Sequence, residues 1–438
     1  MQIKIPENVE KIINTLEAAG FEAYAVGGCI RDSLLGREPN DWDITTSAKP
    51  EETKKLFKKT FDTGIKHGTV SVLMDRTVYE VTTYRIDGEY EDSRHPKSVV
   101  FTDRLSEDLM RRDFTINAMA YNPKRGLTDL YGGRDDLKNG IIRCVGNPEE
   151  RFNEDALRIL RAVRFGAQLN FSIDDGTRSA IKKLSYTLEK ISAERIQVEL
   201  VKILTSDHPE YLLTAYELGI TKVILPEFDK MIKTPQNNPH HCYNVGEHTV
   251  EVIKRVRPDR VMRLAALLHD VAKPDTRTTD AQGIDHFYDH PDKGVIISKK
   301  FFDRLKFDND TKEKVCALVG AHDWTIGANA AHIRRYINRI GEDCFPDIFE
   351  LNYADTLSQS MYDREKKLKH LDRLKAAYEE VMAKKECVSL KTLAVTGKDL
   401  IDAGYKPGPE IGKKLSELLE KVIDDPSLND KEKLLKLL

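Results

Sequence analysis

The sequence predicts a multidomain α+β protein, and three observations carry that reading. Its 438 residues exceed one ordinary domain at about 150 residues each. Short apolar segments bounded by glycine alternate with helical patterns over the first 140 residues. From Pro148 onward the chain becomes a series of amphipathic stretches joined by short polar connections. Hydrophobic residues make up 40% of the chain and charged residues 32%, which supplies several cores and excludes global disorder. With 69 Lys+Arg against 72 Asp+Glu, the net charge of −3 gives no whole-molecule positive field, so any polyanion site has to be local. The absence of a long apolar run predicts no membrane partner, and the opening Met1–Pro6 lacks a secretory signal, so the expected location is cytoplasmic. Six scattered cysteines without a CxxC pair predict reduced, mostly buried thiols.

The elements follow in order. Helical spacing over Glu7 to Ala19 ends at Gly20, and Phe21 to Val26 reads as a strand. After Gly27-Gly28 a short helix runs to Leu35, residues 36–40 form a turn, and Asp41-Trp42-Asp43-Ile44 reads as a strand carrying acids. A helix over Pro50 to Lys59 precedes strands at Thr69 to Leu73, Thr77 to Arg85 and Val99 to Phe101. Helices are then expected over Glu150 to Ala167, Thr177 to Leu188, Ala193 to Leu204 and His208 to Leu218. The prolines of Pro235 to Pro239 mark a boundary. Beyond it lie helical patterns at Thr249 to Arg255, Asp259 to Leu268, Gly294 to Leu305, Asp310 to Ala321 and Asp363 to Ala383, then a Lys-rich helix over Ile411 to Leu438.

Two acids at i and i+2 on a strand share a face, so Asp41 and Asp43 together suit a hard cation such as Mg2+ that orients triphosphate oxygens. Adjacent glycines permit close backbone approach to phosphate, a helix start after them would direct amides at it, and Arg31 adds charge. Spacing alone leaves open that the acids belong to an ordinary turn. The full wording Gly-Gly-x-x-Arg-Asp-x-Leu-Leu-Gly-Arg-x-Pro-x-Asp-x-Asp-Ile over residues 27–44 closely resembles the class II nucleotidyltransferases, which include CCA-adding enzymes and bacterial poly(A) polymerases. That resemblance implies a DNA polymerase beta-like head, with Asp41 and Asp43 as catalytic metal carboxylates and Gly27, Gly28 and Arg31 near triphosphate.

Residues 111–120 fit a second family motif, which implies sugar and phosphate contacts from Arg111, Asp113 and Asn117. Arginine offers rigid donors to phosphate, and Asp and Asn can recognise ribose hydroxyls. Glu80 is a candidate supporting acid or part of a solvated strand face. A third signature spans residues 153–165, where Asp155 and Arg158, three apart, are expected on one helical face with groups that match a nucleobase edge. In the resembling enzymes such a pair selects CTP and ATP. Arg161 and Arg164 stand either as phosphate support or as an exposed charged stripe. The segment Ile191 to Ile196 resembles a further neck motif of structural character. The implied reaction adds CCA to the 3′ end of tRNA from CTP and ATP and releases pyrophosphate. Poly(A) polymerase and partial CC-adding or A-adding activity remain alternatives.

A second constellation comprises His248, His269, Asp270, His290, His322 and Asp355, residue types that suit a divalent transition metal or a buried His-Asp network. The wording Leu267 to Pro274 resembles the HD phosphohydrolase superfamily, which implies His248, His269, Asp270 and Asp355 as primary ligands and His290 with His322 at a second position. Lys273 stands as a phosphate-holding residue or a solvated helix-end lysine. The expected organisation is a head over 1–140, a mainly helical, nucleotide-selecting neck over 141–235, an HD-like body over 236–360 and a helical tail over 361–438 that touches tRNA. A metal-dependent phosphohydrolase with an RNA-binding head is the alternative from another class. Nothing in the sequence sets the oligomeric state.

Overall fold

The first helix, α1 (Glu7–Ala18), buries Val9, Ile12, Ile13 and Leu16, the i, i+3, i+4, i+7 stripe, and Gly20 ends it at φ +91°. In the computed structural model, which describes residues 3–88, 99–324, 327 and 329–438, this helix packs on a mixed sheet. The strands are β1 (Ala23–Val26), β2 (Ile44–Thr46), β3 (Thr60–Gly64), β4 (Thr69–Met74) and β5 (Thr77–Thr83); between them run α2 (Gly28–Leu34) and α3 (Pro50–Leu56). A separate ribbon pairs β6 (Arg85–Asp87) with β7 (Val99–Phe101), and α4 (Leu105–Met110) leads to β8 (Met119–Asn122) and β9 (Gly126–Asp129). The seven-stranded order is β3-β4-β5-β2-β1-β8-β9, with β2 and β5 parallel. Sheet residues Tyr24, Val26 and Ala120 pack with Tyr84 and Leu109 on one face.

Three expectations need correction here. Strand β2 begins at Ile44, so Asp41 and Asp43 lie on the segment that enters the strand and not within it. The helix expected over Glu150 to Ala167 is two helices, α5 (Pro148–Glu154) and α6 (Leu157–Leu169), broken where Asp155 turns extended at φ −142° and accepts from the Leu157 N–H. A short acid prefers that capping role over a helix interior. The helix expected over Ile411 to Leu438 is divided into Pro409–Asp424 and Lys431–Leu435, because Pro426 cannot continue the ladder and Asp425 before it is extended.

The chain divides into two compact units, Met1–Pro226 and Glu227–Leu438. In the first, α7 (Asp175–Leu184) and α8 (Ala193–Leu204) complete a helical region, and α6 packs on α8. In the second, helices Val245–Arg255, Arg260–Leu268, His290–Arg304, Asn309–Ala321 and Phe345–Ser358 surround the histidine cluster. The tail has its own core of Leu400, Leu418, Leu419, Val422, Ile423 and Leu434. All six cysteines are free, and Cys242 alone among them is exposed. Among the described residues, no helix is long and apolar enough to cross a membrane.

Candidate active site

The head acids are gathered by strand register. Ile44 pairs with Val81 in the parallel β2-β5 ladder, which brings the preceding residues Asp43 and Glu80 alongside. The Asp43 carbonyl accepts from the Val26 N–H at 3.0 Å, tying the acidic segment to the end of β1, where Gly27 follows. Burial, then the like charge of Asp41 and to a lesser degree Glu80, push the Asp43 carboxyl up to about 6, and Arg112 works against the shift. Its side chain still keeps an open edge to solvent, as does that of Asp41. Like charges held together without full compensation favour a divalent cation.

Gly27 sits at φ +85°, a conformation that L side chains rarely adopt, and a Cβ there would approach Arg112 Nη1 to 3.0 Å. Cys29 beside it is buried, and burial pushes its thiol up to about 12, so it packs and does no chemistry. Arg112 escaped attention in the sequence, where it reads as a neighbour of Arg111. Buried Asp108 anchors both: Arg111 donates to Oδ1 at 2.8 and 3.0 Å, Arg112 to Oδ2 at 3.4 Å, and Thr45 adds a bond at 3.1 Å.

The remaining head and neck residues form one ionic chain. Arg31 donates to both carboxylate oxygens of Asp32 and, at 2.7 Å, to Asn117 Oδ1. Asn117 donates to Asp113 Oδ1 at 3.2 Å, and Arg161 grips Asp113 Oδ2 at 2.5 and 2.8 Å. Burial alone would raise the Asp113 carboxyl, but Arg161, with Arg158 and Asn117, holds it well below the usual carboxylate range. The guanidiniums of Arg31, Arg161 and Arg164 lie 5.0, 5.3 and 4.0 Å from the Phe165 ring centroid.

One open alternative closes here and one expectation is corrected. Arg161 and Arg164 are not an exposed stripe: Arg161 is paired with Asp113, and buried Arg164 meets Glu199 on α8 at 3.1 Å. Nor do Asp155 and Arg158 share a helical face, since Asp155 precedes α6. Arg195 on α8 holds both Asp155 oxygens at 2.7 and 3.2 Å, and Arg158 turns to Glu154 and to the Arg111 and Arg151 carbonyls. The sequence flagged Arg195 only as part of a structural motif; a lone arginine one turn into a helix carries no sign of its partner 40 residues away.

In the second unit all six anticipated residues converge. Among the described residues, the triples with ligand atoms within 4.8 Å of one another are His248, His269, Asp270 and Asp270, His290, His322, all buried. Asp355 Oδ1 lies 2.8 Å from His248 Nε2. The Nδ1 atoms of His269, His290 and His322 lie 2.8, 2.7 and 2.7 Å from the carbonyls of Ala266, Phe287 and Val319. A carbonyl only accepts, so each Nδ1 carries a hydrogen and each ring turns its Nε2 to the cluster. The Nε2 atoms of His290 and His322 then face each other at 3.1 Å. A shared proton or a bound cation would satisfy that pair, and burial pushes the His290 ring down to about 4. Lys273 Nζ, 2.7 Å from Asp270 Oδ2 and 2.9 Å from Gln236 Oε1, is a buried counter-charge and not a solvated helix end.

The acids, paired glycine and arginines on a mixed sheet define a nucleotidyltransferase-type head, and residues 23–143 match the family model of the poly A polymerase head domain. Residues 170–232 match the model described as a probable RNA and SrmB-binding site of polymerase A, and residues 296–438 the putative tRNA nucleotidyltransferase domain 2. The CCA-adding enzyme of Ligilactobacillus salivarius is 38% identical over 98% of this chain and 95% of its own length. That of Levilactobacillus brevis is 37% identical over 98% of each. A crystal structure of the Bacillus stearothermophilus CCA-adding enzyme in complex with CTP is 29% identical, covers 99% of this chain and 97% of its own, and has a TM-score of 0.73. The chain belongs to the CCA-adding enzyme family. The model matching 296–438 describes a tRNA nucleotidyltransferase domain, so over that stretch the match supports the transferase family and not a phosphohydrolase.

Proposed function

We infer that the chain adds CCA to the 3′ end of tRNA, taking CTP and ATP and releasing pyrophosphate. The crowded acids Asp41, Asp43 and Glu80, in a chain so similar to CCA-adding enzymes along its whole length, carry this reading. Asp41 and Asp43 would hold Mg2+, which when bound neutralises triphosphate charge and favours the attacking alkoxide. Gly27 and Gly28 keep side chains out of the path of the triphosphate, and Arg31 and Arg112 bring positive charge to its flank. Asp113, fixed by Arg161 and Asn117, offers acceptor oxygens to ribose hydroxyls, and Arg111, held on Asp108, offers donors to sugar and phosphate. Asp155 and Arg158 read the base, each preset by Arg195 and Glu154. The working division is a head over 1–140, a selecting neck over 141–235, an HD-like body over 236–360 and a tail over 361–438 that meets the tRNA. Offering CTP or ATP singly to tRNAs ending before CCA, after C and after CC tests the reading: C is expected on the first two and A only on the third. Runs of A on any of them would favour poly(A) synthesis, and a C-only or A-only pattern a partial enzyme.

The facing Nε2 atoms of His290 and His322 favour a second reading for the other unit, a metal-dependent phosphohydrolase site of HD type. His248, His269, Asp270 and Asp355 with His290 and His322 would hold divalent transition metal, which supplies an activated water for phosphoester hydrolysis. Metal-supplemented protein is expected to hydrolyse 2′,3′-cyclic phosphodiesters, and a His269→Ala/Asp270→Ala variant to lose that activity while keeping nucleotide addition. Equal, absent hydrolysis by both would remove this reading.

A further inference from the structure

A cavity of about 600 Å3 in the second unit opens onto the histidine cluster, and buried Asp270, Lys273, His290 and His322 share its lining with His286 and Tyr288. The last two rings come from one short ribbon, which pairs Thr278–Thr279 with Asp285–His286. Asp280 turns that ribbon back. Its Oδ1 accepts from the Gln282 and Ile284 N–H groups at 3.0 and 2.9 Å, Gly283 takes φ +81°, and its Oδ2 lies 2.9 Å from His286 Nε2. Tyr288, two residues on, falls on the same side, and the two rings stack with centroids 5.4 Å apart and planes 7° from parallel. One face of Tyr288 is covered by His286, while 68% of the residue stays exposed.

Phe287 ties this stack to the cluster. Its carbonyl lies 2.7 Å from His290 Nδ1, and its ring centroid 5.2 Å from Lys273 Nζ. Two Cα steps of about 3.8 Å put Tyr288 and His290 no more than about 7.6 Å apart along the backbone, an interval that a ribose spans. Parallel rings steadied by Asp280 and open on the outer side form a surface on which any nucleobase stacks, since every base has a π-face. Phosphate on the 2′ or 3′ side of that ribose then meets the ligand cluster, with Lys273 as counter-charge and Lys367, held by Gln359 and His240, on the same wall. We propose that the His286–Tyr288 stack is the base platform of this site, which therefore takes nucleoside 2′- or 3′-phosphates, cyclic ones included, in preference to base-free phosphate esters and without choosing among bases. The proposal rests on the phosphohydrolase reading of the cluster. On a 2′,3′-cyclic ester, water adds at phosphorus, one of the two ring P–O bonds breaks, and the freed ribose oxygen takes a proton from that water.

Binding can be read without turnover. The chain has two tryptophans, so Tyr288→Trp in a Trp42→Phe/Trp324→Phe background confines the emission to position 288. In Mn2+-supplemented protein, adenosine and uridine 3′-monophosphates are expected to quench it with Kd values within about threefold of each other, and ribose 5-phosphate to bind at least about fivefold more weakly. With Tyr288 replaced by Ala, the KM for adenosine 2′,3′-cyclic phosphate should rise at least about fivefold with kcat within about twofold, and Tyr288→Phe should restore most of the loss. An oligoribonucleotide with a 3′ phosphate that quenches at lower concentration than the free nucleotides would name an RNA end as the source, and the reverse order a mononucleotide; both uphold the platform. Nucleotides that leave the emission unchanged, or equal affinity with and without the base, would overturn it. Absence of hydrolysis by the wild-type chain would sink the phosphohydrolase reading, with quenching then deciding the platform, whereas hydrolysis that Tyr288→Ala does not move would sink only the platform.

Discussion

Asp43 shows how one residue ties the sequence to the chemistry. Burial and Asp41 push its carboxyl up to about 6, so a Mg2+ held there, as the proposed function requires, competes with a proton below that pH. The apparent Mg2+ affinity for nucleotide addition is therefore expected to weaken by about tenfold per pH unit as the pH falls below about 6, and excess Mg2+ to move the limb to lower pH. A limb that ignores Mg2+ concentration would contradict this. Asp43→Ala removes charge stabilisation of several kcal/mol, so incorporation should fall by roughly a thousandfold while thermal unfolding shows the fold intact; normal turnover by that folded variant would refute the assignment. Asp41 and Asp43 and the pair His269-Asp270 stand in short contiguous motifs, whereas His248, His290, His322 and Asp355 are scattered along the chain and were expected beside that pair only through the family resemblance. Arg112, Arg195 and the Asp108 anchor were not legible, since their partners come from other elements and leave no local pattern.

At the scale of elements, local signals were read well where they were periodic. The stripe of α1, the apolar strands β4 and β5 and the helix Ala193–Leu204 fall close to expectation. Strand β3 was missed because Thr-Phe-Asp-Thr-Gly is polar and lies at the sheet edge, where no face is deeply buried. The helices Ala330–Ile340 and Phe345–Ser358 were also missed, and the latter carries Asp355. The break between α5 and α6 bears on the proposed selection of bases: Asp155 is a cap held by Arg195 of α8, and not a helical side chain. Arg195→Ala should therefore blur the choice between CTP and ATP with little change in the rate for either, whereas Arg195→Lys, unable to grip both oxygens, restores only part of it. Arg161 joins α6 to buried Asp113, so Arg161→Ala strands a buried carboxylate and should cost about 3 kcal/mol in denaturant unfolding. A cost near zero would mean that Asp113 finds another partner.

For the whole molecule, the near-neutral charge conceals local order. Residues 1–150 hold 22 basic against 26 acidic side chains, so a catalytic head that handles polyanions is itself slightly acidic, and its arginines and metal have to supply the attraction. The second unit instead gathers buried histidines around Asp270, a ligand set that could hold a metal ion. Mn2+ or Ni2+ at about a hundred times its Kd would contribute about 2.7 kcal/mol to that unit, roughly 5–10 °C in its Tm, and His290→Ala/His322→Ala should abolish much of the gain. Unchanged melting with metal would leave the cluster a structural network. The most direct test of the central claim is to sequence the 3′ ends of tRNA lacking CCA after long incubation with the protein, Mg2+, CTP and ATP together. The predicted ends read CCA and grow no further; ends that stop at CC, extend into A runs or remain untouched would contradict it.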